Sequence, residues 1–202
     1  MVQMSNNDRW FINKKNMLYI VKDDEDVLIQ QNVRSAVRED DYIYTYAVEG
    51  RKDSFYRIDL NNLIPEYIAD GSLSFGNRMF VKKFVVLNDK MAYIAENMVG
   101  ECNLYVLDMS MHTTEKLDDR LPDTSVNTYE LFLDDEWIYY GAYNMNGEYL
   151  LKNKIRYDGT DKLLVHDNKI LTQITFRENL YQEVREWMNS EALEKRGDSV
   201  NE

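Results

Sequence analysis

The stretch of residues 127–168 constrains the fold of this chain more than any other part of the sequence. It contains four short runs rich in aromatic, aliphatic and β-branched residues, and polar turns separate them. Such runs predict β-strands, and the short turns predict that neighbouring strands are antiparallel. Asp158-Gly159 between the last two runs is a hairpin signal. The predicted strands are residues 129–133, 137–140, 149–157 and 162–166.

Weaker copies of this pattern of about 40 residues recur along the chain, and that length is typical of one β-propeller blade. The units span about residues 8–31, 32–76, 77–125 and 126–168, and their second strands begin near Trp10, Tyr42, Met91 and Trp137. The first unit lacks its first strand. Residues 170–176 come where the first strand of a further unit is due, so we expect them to complete the first unit and close the ring. The sequence therefore predicts an all-β domain over residues 1–176, a propeller of about four four-stranded antiparallel blades closed by its N- and C-terminal strands.

The last part of the chain has a different periodicity. Thr175 and Glu178 have the spacing of a capping box, and Gly197 offers a stop. We predict a C-terminal α-helix from about residue 178, within a tail of residues 177–202. Residues 176–181 also match the strand-turn-strand join at residues 133–138, and in that case the chain is a piece of a larger propeller. The helical stripe consists of Phe176, Leu180, Tyr181, Val184, Trp187 and Met188.

The residues that define the repeat resemble a known group of proteins. The pattern is an acidic turn, a Trp-Ile-Tyr-Tyr strand, an Asn/Gly turn, an aliphatic strand, Asp-Gly-Thr and a Leu-Leu pair. It resembles bacterial propeller repeats of unknown function that are related to the lipoprotein-receptor-type and TolB-like repeats. The resemblance implies a β-propeller with a recognition surface and carries over no shared catalytic residue. Members of the group are usually longer and often follow a signal peptide, and this chain differs on both points. The matching residues are Asp135, Trp137 to Tyr140, Ile155, Arg156, Asp158 to Thr160, Leu163 and Leu164.

Composition limits the partners and the compartment. The net charge is −12, with 36 acidic and 24 basic side chains, and a negative field of that size disfavours nucleic acid and anionic membranes. No run is long and apolar enough for a membrane span, and the N-terminus has no signal-peptide core. The single cysteine, Cys102, excludes an internal disulfide and fits a reducing compartment. We therefore expect a cytoplasmic monomer. The alternative is that the chain derives from an exported parent protein.

Candidate chemical motifs are weak throughout. His112 and His166 are the only histidines, and neither has a second ligand at metal-binding spacing. The acidic residues 23–26 lack the glycine and alternation of a calcium loop, so we interpret them as a hairpin tip. Residues 71–76 contain serines without the Gly-x-Ser-x-Gly spacing of a nucleophile elbow. The sequence therefore predicts no catalytic, cofactor-binding or metal-binding residue, and no cofactor.

The sequence is compatible with three functions. The leading hypothesis is non-catalytic protein or peptide binding, or scaffolding. The second is a carbohydrate-active or hydrolytic propeller with carboxylates at the central channel, and the third is a structural fragment of a longer surface protein. Inward-facing carboxylates would favour the enzyme, and exposed apolar side chains the binder. An open edge at residues 9–12 or 170–176 would favour the fragment. The recurring aromatic residues, which we expect to pack between blades, are Tyr44, Tyr93, Trp137 and Tyr139.

Overall fold

The computed structural model describes residues 9–22, 24–50, 52–71, 79–122, 127–144, 146 and 149–165. The chain divides into two compact units, Met1–Leu164 and Val165–Glu202, and the architecture below is that of the first. The predicted closing strand at residues 170–176 and the predicted helix from about residue 178 lie outside the described residues.

The described part of the chain consists of β-strands joined by turns. The central strands carry almost continuous apolar runs because both of their faces are buried, whereas outer strands alternate with polar residues. Within this part of the chain, no helix is long and apolar enough to cross a membrane. The strands are β1 (Arg9–Ile12), β2 (Leu18–Lys22), β3 (Glu25–Gln30), β4 (Val33–Glu39), β5 (Tyr42–Glu49), β6 (Lys52–Asp59), β7 (Pro65–Asp70), β8 (Phe80–Leu87), β9 (Lys90–Glu96), β10 (Cys102–Asp108), β11 (Thr113–Leu121), β12 (Asn127–Leu133), β13 (Trp137–Asn144), β14 (Tyr149–Arg156) and β15 (Leu163–Leu164).

These strands form four consecutive antiparallel sheets, each a simple meander. The first sheet has the order β1-β2-β3, and the second has the order β4-β5-β6-β7. The third contains β8 to β11 and the fourth β12 to β15, again in chain order. The predicted repeat units are confirmed as sheets, and the first sheet contains the three strands that the sequence predicts for it.

Two predicted boundaries are wrong. The sequence predicts that the acidic residues 23–26 form a hairpin tip, but Glu25 and Asp26 belong to β3 and pair with Lys22 and Val21. The turn is tighter because Asp24 adopts a positive φ of 64°, a conformation that aspartate tolerates. The sequence also predicts a link over residues 118–125 between the third and fourth units. The link begins later, because β11 continues to Leu121 after register shifts against β10.

Each sheet packs face to face on the next, and buried clusters fill the three interfaces. The first–second interface has an aliphatic core, the second–third an aromatic one and the third–fourth a mixed one. These arrangements exclude water from both faces of the second and third sheets. The principal residues are, in that order, Leu18, Ile20, Ile43 and Ile58; Tyr46, Phe55, Phe84 and Tyr93; and Ile94, Leu104, Leu131 and Ile138.

Candidate functional site

The meander places its turns at two opposite ends of the sheets, which we call the first and second rims. The first rim holds the turns at residues 24, 40–41, 60–64, 88–89, 109–112, 134–136 and 157–162. The second rim holds the turns at residues 13–17, 50 and 97–101, together with the links between sheets. Loops on a rigid scaffold are the usual places for binding residues.

The acidic residues of the first rim hold its turns. Asp59, Asp108 and Asp158 each accept a hydrogen bond from the backbone N–H two residues later, at 2.8, 3.0 and 2.9 Å. Hydrogen bonding by Lys90 lowers the pKa of Asp108, and hydrogen bonding by Thr160 lowers that of Asp158. Asp turns of this form replace backbone hydrogen bonds that the turn cannot make itself. These carboxylates are therefore engaged in local structure.

The isolated candidates from the sequence do not assemble into a reactive group. Cys102 is fully buried in the core between the third and fourth sheets. His112 lies in the turn after β10, with a φ of 53°, and His166 lies outside the described residues. Asp24 forms a hairpin tip, while Asp23 and residues 72–78 are also outside the described part. Among the described residues, no group of three His, Cys, Asp or Glu side chains could hold a metal ion.

The recurring aromatic residues lie in two different environments. Tyr44 and Tyr93 are buried between the second and third sheets, which confirms their predicted packing role. Trp137 and Tyr139 lie on the side of the fourth sheet that faces away from the third. There Lys154 Nζ lies 3.9 Å from the centre of the Trp137 ring, and the Arg156 guanidinium carbon lies 4.4 Å from it. This side therefore presents cation–π pairs.

The side of the fourth sheet that faces away from the third also departs from the repeat. Phe55 of the second sheet and Leu104 of the third are fully buried, and each pairs with the fifth residue of its neighbouring second strand. Lys152 holds the corresponding position in the fourth sheet, opposite Gly141. An ordinary apolar sheet interface would leave a lysine at this position without water. This side therefore carries a lysine where the second and third sheets carry apolar residues.

The first strands β4, β8 and β12 form what we call the inner edge, and each carries a polar residue at the same position along the strand. These are edge strands of their sheets, and β8 lies beside both of the others. Ser35, Lys83 and Glu130 are equivalent, because each pairs with the fifth residue of its neighbouring second strand. Register shifts lie immediately before Ser35 and Lys83. Such bulges re-aim side chains and are frequent next to functional sites.

The Lys83 ammonium lies in an unusual environment for a lysine. Burial lowers its pKa to about 8, and the Glu130 carboxylate partly offsets that effect. Glu130 itself is buried. Val85 and Leu87, on the same strand face as Lys83, pack against the core between the third and fourth sheets. The inner edge therefore combines an amine, a carboxylate and an apolar wall.

The inner edge offers a poor fit to glycoside hydrolysis. Glu39 and Glu130 are the carboxylates of the described first strands β4, β8 and β12. Glu39 lies four residues beyond Ser35, and Ser35 holds the same position along its strand as Glu130. Four residues span about 13 Å along a strand. Paired carboxylates of glycosidases are separated by about 5 to 9.5 Å. These two residues are therefore too far apart for that chemistry.

The clearest exposed feature is the second-rim turn at residues 97–101, which we call the tip. Its Asn97 side-chain oxygen accepts hydrogen bonds from the Val99 and Glu101 backbone N–H groups, at 3.1 and 2.9 Å. Gly100 has a φ of 87°, which only glycine adopts readily. Met98 is 69% exposed and Val99 is 80% exposed. Phe80, also exposed, pairs with Glu96 at the base of the tip.

The first sheet contains the same turn with a polar tip. In residues 13–17, the Asn13 side-chain oxygen accepts hydrogen bonds from the Lys15 and Met17 backbone N–H groups, at 2.9 and 3.1 Å. Asn16, with a φ of 59°, takes the place of Gly100. Lys14 and Lys15 occupy the positions of Met98 and Val99, and both are exposed. The turn geometry therefore does not require apolar residues at the tip.

A buried polar contact lies between the second and third sheets. The Tyr46 hydroxyl donates to Asp53 Oδ2 at 3.0 Å, and both residues are buried. Asp53 Oδ1 is buried without a hydrogen-bond partner in the described part of the chain. Gly71 lies against this contact, where an added Cβ would be 2.9 Å from Tyr46 Cε2. The packing of these side chains therefore leaves no room for a Cβ at this position.

The sequence did not predict the tip or the polar residues of the inner edge. The shared Asn-x-x-Asn or Asn-x-x-Gly turn at residues 13–16 and 97–100 was a signal that could have identified the tip. Nothing in the sequence signals which of Lys82 and Lys83 points inward, because the bulge at Lys82 interrupts the alternation of the strand.

Comparison with solved structures identifies the fold. Oligogalacturonate lyase from Vibrio parahaemolyticus matches with a TM-score of 0.55 at 12% identity, over 73% of this chain and 45% of that chain. TolB from Acinetobacter baumannii gives 0.44 at 16% identity, over 76% and 44%. The WD40 domain of SCAP from fission yeast gives 0.43 at 8% identity, over 81% and 43%. No protein-family model matches the sequence, and no curated protein matches it significantly.

The sheets and the lyase comparison together define the class of protein. The described part of the chain is an all-β protein of the β-propeller type, and the predicted resemblance to propeller repeats is confirmed at the level of the fold. The chain spans less than half the length of each of these structures. A propeller fold hosts many activities, so the comparison assigns an architecture and no chemistry.

Proposed function

We propose that this chain is a non-catalytic β-propeller module that binds a protein or peptide ligand through the tip. The observation that carries the proposal is the exposure of Met98 and Val99, 69% and 80%. The equivalent turn of the same chain carries Lys14 and Lys15 instead. Exposed apolar side chains on a turn that tolerates lysine have no local structural purpose, whereas methionine and aromatic side chains are favoured at interfaces.

The tip is also rigid enough to bind at a small entropic cost. Besides the two bonds to the Asn97 side-chain oxygen, the Asn97 N–H donates to the Glu101 carbonyl at 2.9 Å, and the Gly100 N–H donates to the Asn97 carbonyl at 3.1 Å. A preorganised loop loses little conformational freedom on association. With a chain charge of −12, the favoured ligand is a peptide segment with an apolar anchor and basic neighbours.

A random-peptide phage library tests this proposal, because it samples many candidate ligands at once. The test variant replaces Met98 and Val99 with lysine, which copies the tip of residues 13–17 and keeps the turn. Met111→Lys is the matched control, because Met111 is also 69% exposed but lies on the first rim. We expect apolar peptides to bind the wild type and the control, and to lose at least about tenfold in affinity for the tip variant. Equal binding by all three proteins, or no enrichment of any peptide, would overturn the proposal.

We also propose that residues 170–176 fill the missing first-strand position beside β1. In the described part of the chain β1 is an edge strand of a three-stranded sheet, and an unpaired edge promotes aggregation. The cation–π side of the fourth sheet would then meet the outer side of the first, where Asp26 of β3 shares a face with Val21. Opposite charges at these positions favour that contact.

Deletion of residues 169–202 tests the closure. Thermal melting and size-exclusion chromatography should show a large fall in melting temperature or aggregation, while the full-length chain elutes as a monomer. A shortened chain that stays folded and monomeric would rule out the closure and would favour a tail that is free for partner binding. A cytoplasmic location is part of the same proposal, supported by the single buried thiol of Cys102.

A further inference from the structure

The tip carries an acidic side chain that its turn does not need. Glu101, the last residue of the tip, is exposed, and its Oε2 accepts a hydrogen bond from Asn97 Nδ2 at 2.9 Å. In the equivalent turn of residues 13–17, Met17 occupies this position, and the Asn13 side-chain oxygen holds the turn through two backbone N–H groups. The carboxylate is therefore dispensable for the turn, as the exposed apolar pair is.

The Glu101 carboxylate keeps most of its hydrogen-bonding capacity for a ligand. The neighbouring Glu96 forms an ion pair with Lys82, whereas within the described residues Glu101 forms no ion pair with a lysine or arginine. A carboxylate can accept about four hydrogen bonds, and Asn97 supplies one. That bond also fixes the side chain before a ligand arrives, so little conformational freedom is lost on binding.

The carboxylate and the apolar side chains of the tip lie close together. Glu101 follows Val99 by two residues, so their Cα atoms are at most about 7 Å apart. The turn is closed by the hydrogen bond from the Asn97 N–H to the Glu101 carbonyl at 2.9 Å. An extended peptide advances about 3.3 Å per residue. A ligand with an apolar residue on Met98 and Val99 can therefore reach Glu101 with a side chain one to three positions away.

We propose that Glu101 selects a basic residue of the peptide ligand, one to three positions from the apolar residue that contacts Met98 and Val99. This inference rests on the proposed peptide binding by the tip and names a second determinant of its specificity. The chain charge of −12 attracts basic peptides to the whole surface, whereas Glu101 binds a lysine ammonium or arginine guanidinium group at one place. The turn of residues 13–17 carries two lysines and no acidic residue, so it does not select the same ligand.

Peptides selected on the wild-type protein from a random library are the probes for this proposal. When their sequences are aligned on the apolar residue, a basic residue should recur within three positions of it. Surface plasmon resonance then measures the binding of one such peptide to the wild type, to Glu101→Gln and to Glu49→Gln. Glutamine removes the charge and keeps an oxygen that can accept the bond from Asn97. Glu49 is the matched control, because it is an exposed glutamate beside the second-rim turn at residue 50.

We expect Glu101→Gln to weaken binding about threefold to fivefold, the effect of one exposed ion pair. The loss should lie mainly in the association rate and should shrink at about 0.5 M salt, while Glu49→Gln changes the affinity by less than about 1.5-fold. A peptide with glutamine in place of its basic residue should bind the wild type and Glu101→Gln equally, because the partner of Glu101 is then missing.

The outcomes separate this inference from the proposed function. Equal losses in Glu101→Gln and Glu49→Gln, additive effects of the protein and peptide changes, or selected peptides without a recurring basic residue would overturn the role of Glu101. Binding that still depends on Met98 and Val99 would in that case leave the proposed function intact. A library that yields no peptide would overturn both.

Discussion

Asn13 and Asn97 hold two turns of the same form in the first and third sheets. Each side-chain oxygen accepts two backbone hydrogen bonds, at 2.9 and 3.1 Å for Asn13 and at 3.1 and 2.9 Å for Asn97. The backbone N–H of each also donates across its turn, at 3.0 and 2.9 Å. The scaffold is therefore repeated while the exposed pair differs, which is the pattern expected when the pair serves recognition rather than folding.

Replacement of Asn97 by alanine should weaken the tip without unfolding the domain. Three hydrogen bonds are lost at an exposed turn, the two to the Asn97 side-chain oxygen and the one that Asn97 Nδ2 donates to Glu101 Oε2 at 2.9 Å, so we expect the free energy of unfolding to fall by about 1 kcal/mol. Asn13→Ala should have a similar effect, because the geometry is the same. Urea denaturation measures both. A loss at one turn and none at the other would contradict their equivalence.

The Tyr46–Asp53 contact should contribute to stability through its hydroxyl group. Tyr46→Phe leaves the buried Asp53 carboxylate without this donor, and we expect a loss of about 1 to 3 kcal/mol. Tyr44→Phe is the matched control, since Tyr44 is equally buried on the same strand, and its expected loss is smaller. Equal losses in the two variants, measured by urea denaturation, would show that the hydroxyl of Tyr46 has no special role.

Gly71 should tolerate no side chain. A Cβ there would lie 2.9 Å from Tyr46 Cε2 and 3.0 Å from Asp53 Oδ2, and we expect Gly71→Ala to destabilise the domain by about 1 to 3 kcal/mol. Gly50→Ala separates crowding from backbone strain, because Gly50 has a φ of 63° and no atom within 4 Å of an added Cβ. Its expected loss is about 1 kcal/mol. Thermal melting that ranks Gly50→Ala as the more damaging change would contradict this account of Gly71.

The stability of the domain should rise between about pH 8 and pH 10. Burial lowers the pKa of Lys83 to about 8, whereas in the unfolded chain it is about 10.4. Within this window the unfolded state binds more protons, so the free energy of unfolding increases with pH, by about 1 to 2 kcal/mol once partial exposure is considered. Above pH 10 stability should fall, because burial and Asp134 raise the pKa of Tyr139 to about 12. Lys83→Met should abolish this rise. Urea denaturation between pH 8 and pH 10 measures the free energy of unfolding of both proteins, and a rise that persists in the variant would contradict this role of Lys83.

The sequence predicts the sheets well because their signals are local. Trp137 opens a central strand, and Asp158-Gly159 marks a hairpin, so periodicity and turn chemistry place both. The inward direction of Lys83 is not predictable, since a bulge shifts the alternation by one residue. Four consecutive acidic residues resemble a loop and so predict a turn at Glu25, whereas pairing with β2 draws it into the strand. In both cases the register of the hairpin, rather than residue type, decides the outcome.

Chemical-shift mapping by NMR tests the central claim most directly. The isotope-labelled chain is titrated with a peptide selected on the wild-type protein, and the backbone amide shifts are followed. We expect saturable changes centred on residues 96–101 and Phe80, with residues 109–112 on the first rim unchanged. Changes centred on the first rim, or on Lys83 and Glu130 at the inner edge, would contradict peptide recognition by the tip.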